Sequence, residues 1–197
     1  MSDTRPRYGD AAIDIQSAVL VVVDVQNGFV TPNSDPVVAP IVELVDRWQR
    51  AGGATVFTRY LNYEGSPFER LIHWSKLQTS PETDFDPRLA PYTEKSGAHR
   101  VDKTIYSLFS EEGTALVESQ GWSDLLICGI ATESCVLKTA VDAFELGLRP
   151  WVLSDAVASH AGEFAHDAGL LVASRFIGRD QVVTSADALE RLQLTVG

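Results

Sequence analysis

Short apolar runs alternate along the chain with stretches whose apolar residues recur every three or four positions. Ala18-Val-Leu-Val-Val-Val23 is apolar without alternation, the pattern of a central parallel strand covered on both faces. From about Asp35, the residues Val38, Ile41, Val42 and Val45 follow helical spacing, and Gly52-Gly53 supplies a stop. Ala54 to Thr58 predicts a second strand, the segment around Val101 a third and Leu125 to Cys128 a fourth, with Trp151 to Leu153 and Gln181 to Val183 after them. Between and after these strands, helices are predicted over Glu111 to Gln120, over a segment with Leu137, Ala140, Val141 and Phe144 on one face, over Phe164 to Arg175, and over Ala186 to Leu194. Such alternation implies an α/β fold, a parallel sheet with helices on both faces. One stretch breaks the rhythm. Asn62 to Ala98 is long and rich in Pro, Ser and aromatics, with a short helix expected over Phe68 to Leu77. Its length suggests a lid, a subunit contact or a surface excursion.

Composition narrows the class. The 197 residues, 45% of them hydrophobic, suit one domain with a full core. Residues 1–16 read as a polar extension without the apolar centre of a signal peptide, leaving residues 17–197 as the domain. The longest apolar run is too short to cross a bilayer. With 27 acidic and 16 basic residues the net charge is −11, which repels phosphate backbones and anionic membranes. A small molecule is therefore the expected partner. Two cysteines, Cys128 and Cys135, fit a reducing, cytoplasmic compartment better than a disulfide scaffold.

In an open parallel sheet, ligands bind beyond the carboxyl ends of the strands, where strand order reverses. In the common doubly wound order the first and fourth strands are neighbours there. Asp24 follows the first strand and Gly129-Ile-Ala-Thr-Glu-Ser-Cys135 follows the fourth, so Asp24 and Cys135 are expected to face each other. Thr132 suits an N-cap, which would set Cys135 near the third helical position, among backbone N–H groups that favour a thiolate and could hold an oxyanion. Free cysteines are equally at home as small buried hydrophobes, the reading preferred for Cys128. Asp24 reads as a general base or as a turn residue. Lys103 lies in a polar segment where most lysines face water. The turn after the first strand lacks the glycine spacing of a dinucleotide site.

Three segments together resemble the isochorismatase-like cysteine hydrolases, which include nicotinamidases and N-carbamoylsarcosine amidase. They are Leu20-Val-Val-Val-Asp24-Val-Gln26, Asp102-Lys103-Thr-Ile-Tyr-Ser-Leu-Phe109 and Cys128-Gly-Ile-Ala-Thr-Glu-Ser-Cys135-Val. The resemblance implies a three-layer α/β/α sandwich around a six-stranded, mainly parallel sheet, Rossmann-like in layout. It implies a triad of Asp24, Lys103 and Cys135, in which Lys103 keeps Asp24 ionised and Cys135 thiolate-like. It also implies a cis peptide at Ile130–Ala131 beside the oxyanion site. Gln26, Phe29, Tyr60, Asn62, Trp74, Phe109 and Thr132 are expected to line the pocket. A C–N hydrolase acting on a small amide, carbamoyl or ureido compound through a thioester follows, and a homo-oligomer, dimer or tetramer, is expected. Nicotinamidases carry an Asp-x-His metal motif after the second strand; Arg59-Tyr60-Leu61-Asn62 stands there instead, so no metal and no cofactor is expected. A redox-active thiol or binding protein on the same fold remains an alternative, as does an ether hydrolase of the isochorismatase type, although the latter lacks the cysteine.

Overall fold

The structure, a computed structural model, describes residues 12–193. A two-residue strand β1 (Ile13–Asp14) precedes the apolar run, which forms β2 (Ala18–Val23). There follow α1 (Asp35–Arg50), β3 (Ala54–Tyr60), α2 (Pro67–Ile72), β4 (Ala98–Lys103), α3 (Glu111–Gln120) and β5 (Asp124–Ile130). The series closes with α4 (Leu137–Glu145), β6 (Arg149–Ala158), α5 (Glu163–Phe176), β7 (Val182–Val183), α6 (Ser185–Glu190) and β8 (Leu192–Gln193). The main sheet has six strands in the order β4-β3-β2-β5-β6-β7, and every pair is parallel. No helix among the described residues is long and apolar enough to cross a membrane.

β2 shows why its run has no alternation. Ala18, Leu20 and Val22 face a core shared with Val38, Ile41, Val45 and Trp48 of α1 and Ala188 of α6. Val19, Val21 and Val23 face a second core with Val117 of α3 and Ala140 and Ala143 of α4. Both faces are covered, and the result is the three-layer sandwich. Cys128 belongs to the first core and Cys135 to the second, so the sheet separates the two thiols.

Several boundaries differ from expectation. Ile13 and Ile15 are buried in the first core, and β1 pairs with β8, so the packed structure begins before Ser17. The polar extension can include at most the residues ahead of Ile13; residues 1–11 lie outside the described range. The helix expected to reach Leu77 stops at Ile72, because His73 turns left-handed (φ 55°) and caps it. Phe144, placed on the inner face of its helix by periodicity, is half exposed, while Thr139, Ala140 and Ala143 are buried. The last helix ends at Glu190, and β8 occupies Leu192–Gln193; Leu194 lies outside the described residues. The strand expected at Trp151–Leu153 runs on to Ala158. Its polar interruption, Ser154-Asp155, is absorbed by bonds to Val183 O and to the Ser185 N–H and hydroxyl.

Candidate active site

At the carboxyl side of the sheet Asp24 follows β2, Tyr60 and Lys103 end β3 and β4, and Ser159 follows β6. Val23 is paired with both Thr58 and Gly129, which sets Asp24 at the centre. Asp24 has φ 49°, a left-handed conformation that aspartate tolerates better than most residues. Thr58 holds it from both ends: its hydroxyl accepts from the Asp24 N–H (3.1 Å) and donates to Oδ1 (2.6 Å). Oδ2 accepts from Lys103 Nζ at 2.7 Å, and both side chains are fully buried. Lys103 ends β4 and donates also to the Ile105 and Tyr106 carbonyls (3.0 and 2.9 Å), so each of its three protons has an acceptor. The Tyr60 ring lies 5.6 Å from Nζ. A lysine that the local sequence would turn to water is thus spent inside the site.

Cys135 approaches from the other side of the crevice. Gly129 has φ 119°, and a Cβ there would come within 2.1 Å of the Val23 carbonyl oxygen; only glycine lets β5 run so close to the end of β2. The Ile130–Ala131 peptide is cis. Residues Thr132–Val136 form one π turn leading into α4, with Ala131 as the N-cap. Thr132 is therefore not the cap. Its hydroxyl instead meets His166 Nδ1 at 2.8 Å, and Cys135 is the fourth residue of the turn rather than the third. Cys135 lines the cavity beside Ser134, and the charges of Lys103 and Asp24 both act on its thiol. Burial pushes its pKa well above the ordinary thiol value, more than the Lys103 charge pulls it down, and the Asp24 charge adds to the rise. Desolvation outweighs the cation. The direction of the shift runs against the thiolate-like state that the resemblance implies.

Above the triad lies a cavity of about 290 Å³. Phe29, Tyr60, Phe68 and Trp74 make its aromatic wall, with Phe29 and Trp74 nearly parallel at 5.8 Å. Ile72 and Tyr106 form part of the lining and are partly exposed, and Glu133, Ser134, Cys135 and His160 make the polar side. Part of the Asn62 to Ala98 segment is thereby a wall of the crevice.

Of the expected lining residues, Phe29, Tyr60 and Trp74 are in place. Gln26 is not, because its amide donates to the Tyr60 and Thr83 carbonyls and accepts from the Tyr60 N–H. Asn62 ties the following loop, donating to the Trp74 and Lys76 carbonyls and accepting from the Ser66 hydroxyl and the Tyr63 N–H. Phe109 packs against the second core, and Thr132 is engaged by His166. Phe68, Ile72, Tyr106, Glu133, Ser134 and His160 were not anticipated.

The end of β3 does not suit a metal. Arg59 makes a bidentate pair with Asp102 (2.9 and 2.5 Å), which raises the guanidinium pKa, and Asn62 is occupied as described. Among the described residues, no group of three or more His, Cys, Asp or Glu side chains is arranged to hold a metal ion.

Fold, crevice and residue set together define a family. Residues 18–187 match the model of the isochorismatase domain, and the chain belongs to the isochorismatase family. It is 28% identical over 191 residues to the uncharacterized isochorismatase family protein YwoC of Bacillus subtilis, covering 92% of this chain and 97% of that one. It is 26% identical to nicotinamidase 3 of Arabidopsis thaliana, covering 86% and 84%. A solved cysteine hydrolase from Pseudomonas syringae superposes with a TM-score of 0.78 at 21% identity, covering 97% and 98%.

Proposed function

We propose that the chain is a cysteine amidohydrolase that cleaves a C–N bond of a small amide, carbamoyl or ureido compound through a thioester on Cys135. The observation that carries this reading is the buried Asp24–Lys103 pair, 2.7 Å from Oδ2 to Nζ, at the end of the strand beside the one that leads to Cys135, which lines the cavity. Asp24 takes the thiol proton as sulfur attacks the carbonyl carbon. The developing oxyanion is held by backbone N–H groups at Ala131 and Cys135. Asp24 then passes its proton to the leaving nitrogen, the C–N bond breaks, and the acyl group remains on sulfur. A water, deprotonated by Asp24, hydrolyses the thioester and returns the thiol proton. Lys103 does not transfer a proton here; its charge positions Asp24 and offsets the thiolate as it forms. The nicotinamidase relative supports amide chemistry in general, without naming the substrate. The raised thiol pKa counts against a redox sensor, which needs a thiolate at rest.

The test is ammonia release from a panel of primary amides, ureido and carbamoyl compounds, with mass spectrometry of enzyme quenched during turnover. The expected result is an acyl adduct mapped to Cys135, no turnover by Cys135→Ala, and a loss of about a hundredfold or more in Asp24→Asn. Turnover that survives in Cys135→Ala would refute the mechanism.

A further inference from the structure

Two residues of the cavity lining each keep one buried polar atom without a partner. Glu133 Oε1 accepts from the Ser159 hydroxyl at 2.8 Å, and Ser159 is itself fixed by accepting from the Ala161 N–H at 3.0 Å. Glu133 Oε2 and His160 Nδ1 are buried and make no hydrogen bond. Both residues line the same cavity as Cys135. An unsatisfied buried polar atom calls for an explanation, and here two belong to residues that line one small space. Glu133 is the lone carboxylate among the described residues lining it. Lys103 is already committed to Asp24, and no ion pair to Glu133 is found among the described residues. The rest of the wall is aromatic: Phe29 stacks on Trp74 at 5.8 Å and on the His160 ring at 5.5 Å. Ring faces around a single carboxylate make a receptor for a cation. The net charge of −11 works in the same direction by drawing cations towards the protein.

We propose that the cavity selects amides bearing a cationic amine or amidinium away from the scissile carbonyl, bound by Glu133 Oε2 with His160 Nδ1 as a second acceptor. The word substrate rests on the amidohydrolase reading; the binding preference does not. The remote cation would be anchored at Glu133, two residues before the nucleophile, and would direct the carbonyl carbon towards sulfur. An anionic amide of the same shape would meet the carboxylate and be excluded.

Three probes of similar size separate these outcomes: 4-(aminomethyl)benzamide, 4-(hydroxymethyl)benzamide and 4-carboxybenzamide. Binding is measured by titration calorimetry and tryptophan quenching on Cys135→Ala, which cannot turn them over. The expected order is cation, neutral, anion, with the cation at least about tenfold tighter than the neutral amide. Glu133→Gln, made in the Cys135→Ala background, keeps an oxygen for Ser159 and should erase that preference with an unchanged urea midpoint. Equal binding of the three probes, no binding of the cation, or a preference that survives Glu133→Gln would each overturn the proposal. The two readings fail separately. A cationic amide bound through Glu133 but never cleaved by the parent enzyme removes the amidohydrolase and leaves this site standing. Cleavage without charge preference does the reverse.

Discussion

Replacing Lys103 by methionine keeps the volume of the side chain and removes its charge. In the parent, Nζ answers three oxygens, Asp24 Oδ2 and the Ile105 and Tyr106 carbonyls, and neither Lys103 nor Asp24 exposes any of its side chain. The substitution strands a carboxylate and two carbonyls away from water. Breaking one partner of a buried pair costs about 3–5 kcal/mol, against less than about 1 kcal/mol for an exposed pair. Arg50, whose side chain is 77% exposed beside Asp46, supplies the internal control as Arg50→Met. In urea, with a slope of roughly 2 kcal/mol/M, the Lys103→Met midpoint should fall by about 1.5–2.5 M, and the control should barely move. Adding Asp24→Asn should restore part of the loss, a coupling of roughly 1–3 kcal/mol. A Lys103→Met protein within about 1 kcal/mol of the parent, or two changes that simply add, would refute the claim that the pair is a buried unit.

Two further outcomes follow from burial and exposure. Both thiols have pKa values raised by burial, so the stability linked to keeping them neutral is whole below the unfolded thiol value of about 8.5 and is lost as pH rises above it. The urea midpoint should therefore drop between about pH 8 and 10 more steeply in the parent than in a Cys128→Ala, Cys135→Ala double variant; identical profiles would refute it. On α5, Phe164, Leu171, Val172 and Phe176 are exposed apolar residues, a candidate surface for self-association. Light scattering should report a multiple of 21.5 kDa that Leu171→Glu lowers, and a monomeric parent would count against self-association.

The layers were legible because β2 and β5 are buried on both faces and so carry unbroken apolar runs. The meeting of β2 and β5 followed from topology, and with it the approach of Asp24 to Cys135. Lys103 was beyond local reading, since nothing near it in sequence announces that two carbonyls and a carboxylate will take its protons. Gln26 and Asn62 misled for a related reason. A polar residue near a site can serve a ligand or the backbone, and here the bonds at Tyr60, Trp74 and Lys76 claim both side chains. His160 was missed because Ser154-Asp155 looked like the end of a strand, whereas β6 continues and delivers Ser159 and His160 to the crevice.

The register of β2 on β5 also bears on when Asp24 and Cys135 come together. Ala18 pairs with Asp124 and Val23 with Gly129, partners separated by 106 positions along the chain (124 − 18 and 129 − 23). Closing so long a loop is an entropic step that precedes its reward, and parallel pairings of this kind are intrinsically slow to form. Until that closure, Asp24 and Cys135 belong to separate hairpin-free halves of the polypeptide, and the sulfur has no carboxylate beside it. A chain leaving the ribosome gains Cys135 only after 134 of its 197 residues are made, and that cysteine meets Asp24 only when the central pair of strands locks.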